Sequence, residues 1–364
     1  MFIAPYLVNT EFINDRLLKE LVDTQYESEG RHWHGKKHII NMIKRITAWK
    51  GSKGKLPTTR LLAILFHDIF YDPRYDGQAW SNEEQSIQIW RRYSKRRRFD
   101  SCTVKQVESY IRATADPYST RLSPSEKEFV KEDWMRLPDR APFSADIAQL
   151  LDAWEDGIQK EYQIFPINGY KLSRTEFLDK ARMRGFISDD VFDYLCRKVT
   201  RKYKVGVYAG SFNPLHLGHM NIIKRAEKLF DRLVIAVGQN PEKEQNRTNL
   251  IPYLPYNYVD IYDGLLADYL ETFKLEDITV IRGIRNGYDL QYEENLQKYV
   301  LEQWCARGNA KNKLNWMYIP CDPMYAHLSS SAIRTLPEKD QKRYLPPVVP
   351  SQMDVIDKIF EDYK

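Results

Sequence analysis

Cysteine is scarce in this chain: four in 364 residues, Cys102, Cys196, Cys305 and Cys321, far apart and without a Cys-x-x-Cys pair. A dense disulfide framework is thereby excluded, and a reducing cytosol fits best. Long apolar runs are also missing. The first residues, Met-Phe-Ile-Ala-Pro-Tyr-Leu-Val, lead into Asn, Thr, Glu and Asp with no basic segment or cleavage site. Membrane insertion and secretion are therefore not expected. Low-complexity segments and internal repeats are absent. Nor is there a charge of one sign: 55 basic and 50 acidic residues are interspersed, for a formal +5. That balance permits phosphate-bearing small substrates without demanding nucleic acid. With 43% apolar and 29% charged residues the composition is that of a globular protein, and the length exceeds what one core normally organises, so two domains are expected.

Strand-like alternation is likewise scarce until about residue 204. Residues 11–22, 36–49, 59–70, 82–93 and 103–114 carry apolar side chains at three- and four-residue spacing, the helical period. After a short polar stretch at 199–203 the pattern changes. Strands are expected at Lys204–Tyr208, Arg232–Gly238, Ile278–Arg282 and Asn315–Ile319, with helices at 220–230, near 257–273 and at 289–306. Such alternation predicts a parallel sheet wrapped by helices. The chain is thus read as an all-α domain over 1–200 followed by an α/β, Rossmann-like domain over 201–364.

The stretch Tyr208-Ala-Gly-Ser-Phe-Asn-Pro-Leu-His-Leu-Gly-His219 joins the first strand to a helix. Unpaired backbone N–H groups at such a helix start favour phosphate, and His216 and His219 add donors. Alone, it also reads as an ordinary turn with surface histidines. Further candidates fall where strands end: Ser211, Lys243, Arg282, Arg285, and Ser329-Ser-Ser331 at another helix start.

Taken together, these segments resemble the His-x-Gly-His nucleotidyltransferases, and among them the phosphopantetheine adenylyltransferases. The resemblance runs through Gly210–His219, Leu229–Gly238, Asn240–Lys243, Gly264–Tyr269, Arg282–Glu293 and Leu328–Ser331. It implies transfer of AMP from ATP to the phosphate of phosphopantetheine, giving dephospho-coenzyme A and pyrophosphate, by in-line attack without a covalent enzyme intermediate. In that reading His219 donates to the α-phosphate, and Ser211 with the Gly210 turn holds phosphate, beside Phe212, His216 and Gly218. Lys243 bridges the two reacting phosphates. Arg285, Ser329 and Ser330 receive the β- and γ-phosphates, whose charge Mg²⁺ offsets, and Gly283 and Ser331 belong to the same ATP and substrate site. Arg282 lies beside the acceptor, Glu293 beside the nucleotide, and Leu265, Leu266 and Asp268 line the acceptor's arm. The resemblance also implies a homo-oligomer. Asn213 replaces the usual Asp, His216 completes the signature, and Glu244–Tyr258 departs from the usual segment. The first two features also occur in nicotinamide and nicotinate mononucleotide adenylyltransferases, so a mononucleotide acceptor stays open, with the first half then a non-catalytic regulatory or assembly domain.

In the first half, Arg31-His-Trp-His-Gly-Lys-Lys-His38, Phe66-His67-Asp68 and Ser81-Asn-Glu-Glu84 place imidazoles and carboxylates where an apolar core would not choose them. His67-Asp68 and a second imidazole can offer a mixed N/O site to a metal ion with positions open for water. These segments resemble the HD superfamily of metal-dependent phosphohydrolases. The resemblance implies His38, His67, Asp68 and Asp133 as ligands of a divalent transition metal, His34 as a neighbour, and Glu83 as a proton-transfer or water-orienting group. Ser81 stands where that branch has Asp, and Thr114-Ala-Asp116 where it has Thr-x-His-His. A domain that keeps the fold without turnover is the alternative. The basic run Arg91–Phe99 reads as a solvated helix end, with nucleic-acid binding as its alternative.

Overall fold

The computed structural model describes residues 14–49, 56–75, 81–137, 143–239 and 249–363. The chain forms two compact units. One comprises residues 1–162, 171–199 and 350–364; the other comprises 163–170 and 200–349. Residues 350–364, which the sequence reading puts with the second domain, pack in the helical unit.

In the helical unit, α1 (Arg16–Tyr26), α2 (Lys36–Trp49), α3 (Thr58–Phe66), α4 (Asn82–Arg97), α5 (Ser101–Ala115), α6 (Pro124–Asp133), α7 (Ala145–Glu161), α8 (Ile167–Met183, of which 171–183 belong here) and α9 (Asp189–Thr200) follow in order. Their starts are written locally. Asp15, Ser81, Asp100, Ser123 and Ser144 each cap a helix by accepting a backbone N–H. Ser81 caps α4 as an aspartate would, with Glu83 and Glu84 in the first turn and Lys95, Arg96 and Arg97 in the last. Arg60 through Phe66 on α3 are all buried, so this short helix runs through the core among Leu17, Leu21, Met42, Trp90 and Phe129. Helix α1 starts at Arg16 because Asp15 caps it, and α3 stops at Phe66 rather than continuing to residue 70.

The basic run is used within this unit. Arg91 binds Glu108 at 2.7 Å, Arg97 binds Asp15 at 2.5 Å, and Arg92 binds Asp357 at 2.6 Å while lying 4.1 Å above the Phe360 ring. Asp357 and Phe360 belong to the last helix, Gln352–Asp362.

The second unit is built on five parallel strands, β1 (Lys204–Gly210), β2 (Arg232–Gln239), β3 (Tyr258–Asp263), β4 (Asp277–Ile284) and β5 (Asn315–Pro320), in the order β3-β2-β1-β4-β5. Val205, Val207, Leu233, Ile235, Val280 and Ile281 make the central strands apolar on both faces, as a covered parallel sheet requires. Helices α10 (Leu217–Ala226), α11 (Leu266–Leu270), α12 (Gly287–Trp304) and α13 (Ser330–Arg334) connect or follow the strands. The helix expected near 257–273 is mostly not one. Tyr258–Asp263 pairs residue by residue with Val234–Gln239 as a strand, Gly264 turns the chain at φ +81°, and only Leu266–Leu270 is α-helical. Ladder pairing with β2 outweighs a weak local period there.

Candidate active site

From β1 the chain moves outward through β2 and β3, then returns to the other side of β1 and continues outward through β4 and β5. Ligands of such sheets bind where the direction reverses, at the carboxyl ends of the two central strands. A cleft of about 340 Å³ opens there. Gly210, Ser211, Phe212, His216, Gly218 and His219 line it from the β1–α10 connection, Arg282, Gly283, Arg285 and Glu293 from β4 and α12, and Ser329 and Ser330 from the start of α13. Tyr208, Asp289, Tyr292, Cys321, Tyr325 and Leu328 line it too, and sequence reasoning missed them. A signal for Asp289 was present: two carboxylates four apart, Asp289 and Glu293, follow two arginines three apart and share one helix face.

The histidines are held by the helix start itself. His216 caps α10, its Nδ1 accepting from the Gly218 N–H at 3.1 Å, while Nδ1 of His219 accepts from the His216 N–H at 3.2 Å. The rings stack with centroids 3.7 Å apart. Because both Nδ1 atoms accept, each neutral ring carries its proton on Nε2, a donor. Burial, with the Arg285 charge adding, pushes His216 down to about 4; burial, His216 and Arg285 hold His219 well below the usual range. Both are thus neutral near pH 7. A Cβ on Gly218 would come within 3.0 Å of the His216 ring. Phe212, buried beneath the turn, adopts φ +47°, a left-handed conformation uncommon outside glycine.

The arginines are clamped. Arg282 donates Nε and Nη2 to Glu293 at 2.5 and 2.8 Å and Nη1 to the Ala209 carbonyl at 2.5 Å. Arg285 donates Nε and Nη2 to Asp289 at 2.7 and 2.9 Å and Nη1 to the Leu328 carbonyl at 3.2 Å. Ser329 caps α13 through the Ala332 N–H, Ser330 donates to the Pro214 carbonyl at 3.0 Å, and Ser331 accepts from Arg334 at 3.2 Å. Leu265, Leu266 and Asp268 are not among the residues lining the cleft; Asp268 accepts from Arg307 at 2.5 Å. Lys243 lies outside the described residues.

In the helical unit, α2, the end of α3 and the end of α6 bring His38, His67 and Asp133 together, their ligand-type atoms all within 4.8 Å of one another. His38 Nε2 lies 3.0 Å from Asp133 Oδ1 and 3.3 Å from His67 Nε2, and Asp68 Oδ2 lies 3.0 Å from His67 Nε2. His67 Nδ1 is 3.0 Å from the Ile64 carbonyl, which fixes the proton there and turns the Nε2 lone pair inward. Two imidazole nitrogens facing each other amid carboxylates need a proton or a cation between them, so the donor set fits a metal ion. Burial alone would lower His67, but Asp68 and Asp133 outweigh it and hold it well above the usual range. Burial opposes the charged form of Asp68, yet His67 brings it down to about 2.

His34 stands beside the trio. Its Nδ1 is 2.7 Å from Glu161 Oε2, and Glu161 Oε1 accepts the N–H groups of His32, Trp33 and His34 at 2.8, 2.7 and 2.8 Å. One carboxylate thus orders the segment leading to His38. Arg31 donates to the Asp68 and Ile69 carbonyls at 2.5 and 3.0 Å, fixing the turn after His67. Glu83 has its carboxyl pKa raised, chiefly by burial.

Comparison with known proteins bears on the second unit. The cytidylyltransferase-like family profile matches residues 207–254. The phosphopantetheine adenylyltransferase of Caldanaerobacter subterraneus subsp. tengcongensis is 32% identical over 142 residues, 36% of this chain and 83% of that protein. That of Rhodopirellula baltica is 32% identical over 164 residues, 41% of this chain and 87% of that protein. A solved structure of a nicotinate-nucleotide adenylyltransferase candidate from Vibrio parahaemolyticus is 20% identical, covering 44% of this chain and 93% of that one, with a TM-score of 0.28, too low to carry weight. Strand order, cleft and paired histidines agree with a nucleotidyltransferase-like domain. Through this C-terminal region the chain belongs to the phosphopantetheine adenylyltransferase family. Among the described residues no helix is long and apolar enough to cross a membrane.

Proposed function

We propose that the second unit transfers AMP from ATP to 4'-phosphopantetheine, releasing pyrophosphate and forming dephospho-coenzyme A. The carrying observation is the His216–His219 pair, two neutral rings whose Nδ1 atoms accept within the cap and whose protons sit on Nε2, lining a cleft that also holds Arg285, Ser329 and Ser330. ATP enters with its Mg²⁺. The acceptor phosphate attacks the α-phosphorus, the bond to the β-phosphate oxygen breaks, and pyrophosphate leaves. His219 donates to a non-bridging α-phosphate oxygen as charge develops, and Arg285 with the α13 start takes the leaving group. Lys243 joins the reacting phosphates on the ground of the resemblance alone. A mononucleotide is the alternative acceptor, favoured by the complete signature at His216. Purified chain with ATP and Mg²⁺ should release pyrophosphate on adding phosphopantetheine, and His219→Ala should not; release only with nicotinamide mononucleotide would move the substrate to that alternative.

A second reading rests on a separate observation, the convergence of His38, His67 and Asp133. We propose that these residues with Asp68 hold a divalent transition metal and that this unit hydrolyses a phosphate ester. The metal when bound would lower the pKa of a water. Glu83 would orient or deprotonate that water, and His34, held by Glu161, would face the ester. Metal analysis of the purified chain, with turnover of a panel of nucleotides and phosphate esters, tests it. Metal-free, inert protein would leave this unit a regulatory or assembly module. The family resemblance also supports a homo-oligomer, and the four scattered cysteines a reducing, cytosolic setting.

A further inference from the structure

We propose that Asp289 is a positioning residue of the adenylyl-transfer site, holding Arg285 so that its guanidinium offers two N–H groups to one phosphate. The proposal rests on reading the cleft as a nucleoside triphosphate site. A guanidinium has five N–H donors. Asp289 takes two, Nε–H to Oδ2 at 2.7 Å and one from Nη2 to Oδ1 at 2.9 Å, and the Leu328 carbonyl takes one from Nη1 at 3.2 Å. One N–H then remains on each of Nη1 and Nη2, the spacing that meets two oxygens of a phosphate.

Asp289 also fixes the backbone carrying this arginine, because Oδ2 accepts the Arg285 main-chain N–H at 3.0 Å. On its far side Arg285 reaches the carbonyl of Leu328, the residue before the α13 cap Ser329. One carboxylate thus links the start of α12, through Arg285, to the segment that opens α13, and all of these residues line the cleft. A negative charge beside a phosphate site is unfavourable by Coulomb repulsion alone. Orienting Arg285 is the function that offsets it. Glu293 holds Arg282 in the same way one turn later, with Nη1 donating to the Ala209 carbonyl.

This conflict of signs makes the proposal testable. If Asp289 acted only through charge, Asp289→Asn would strengthen pyrophosphate binding, since Arg285 would be freed from its counter-ion. If it positions Arg285, the same variant weakens it. Titration calorimetry on the full chain with Mg²⁺, using inorganic pyrophosphate and AMP as separate probes, reads the difference. We expect Asp289→Asn to bind pyrophosphate about ten- to a hundred-fold more weakly, to bind AMP as wild type does, and to add nothing further in an Arg285→Ala background. Pyrophosphate binding unchanged or tighter in Asp289→Asn overturns the positioning role alone. So does an equal loss of AMP and pyrophosphate with a lowered Tm, which marks a merely structural residue. Wild-type chain that binds neither pyrophosphate nor ATP overturns the triphosphate reading and the proposal with it.

Discussion

The main-chain N–H of His216 donates to Nδ1 of His219 at 3.2 Å, and that bond leaves Nε2 as the nitrogen of the neutral ring that carries the proton. The helix cap and the ring tautomer of His219 are therefore one structural feature.

In the proposed reaction, replacing His219 by Ala removes the donor assigned to the α-phosphate and, with it, one cap bond. We expect kcat to fall by about a hundred- to a thousand-fold, as for loss of one preorganised donor, with a stability loss of about 1 kcal/mol for the cap. Steady-state kinetics and urea unfolding on the same preparation check both.

Gly218→Ala should reverse the usual benefit of alanine in a helix. The added Cβ would lie 3.0 Å from Cε1 and Nδ1 of His216 and force its ring to shift from the place where it stacks on His219. The expected outcome is a marked loss of adenylyl transfer without the gain of about 1 kcal/mol that Gly to Ala brings at an unconstrained helical site. Wild-type activity in this variant would show that the stacked arrangement is dispensable.

The histidine pair also makes a pH signature. In the unfolded chain both imidazoles take up protons below about pH 6.5, whereas folded His216 resists protonation until about 4 and burial, with His216 and Arg285, holds His219 well below the usual range. The unfolded state then binds more protons, so this pair's contribution to stability is complete above the unfolded pKa and is lost as pH falls toward 4. Urea unfolding at pH 7.5 and 5.0 should show a smaller drop in a His216→Asn, His219→Asn double variant than in wild type; equal drops would contradict the burial described here.

Much of the second unit was legible because a parallel sheet writes itself as apolar runs between helices, and the residues after β1 and β4 fall at its carboxyl edge. β3 was not legible: its six residues are only half-buried or exposed, so alternation was weak, and the ladder with β2 decides its conformation. In the helical unit, the adjacency of His67 and Asp68 at the end of a buried helix was visible. That Glu161 would gather three successive backbone N–H groups from residues 32–34 was not, because such a contact has no spacing signature.

For the helical unit, dialysis against Zn²⁺, Mn²⁺ or Co²⁺ followed by elemental analysis should give one bound ion per chain, lost in His38→Ala and in His67→Ala. Metal binding only to the folded state should raise the unfolding temperature of wild type and not of the variants. Equal metal content in all three proteins would show that this cluster is not the site.

The most direct measurement is product identification with the purified full chain, ATP and Mg²⁺, offering 4'-phosphopantetheine and nicotinamide mononucleotide in parallel. The account predicts pyrophosphate and dephospho-coenzyme A in equal amounts from the first acceptor, with His219→Ala silent. Pyrophosphate release with neither acceptor, or with the mononucleotide alone, would contradict it.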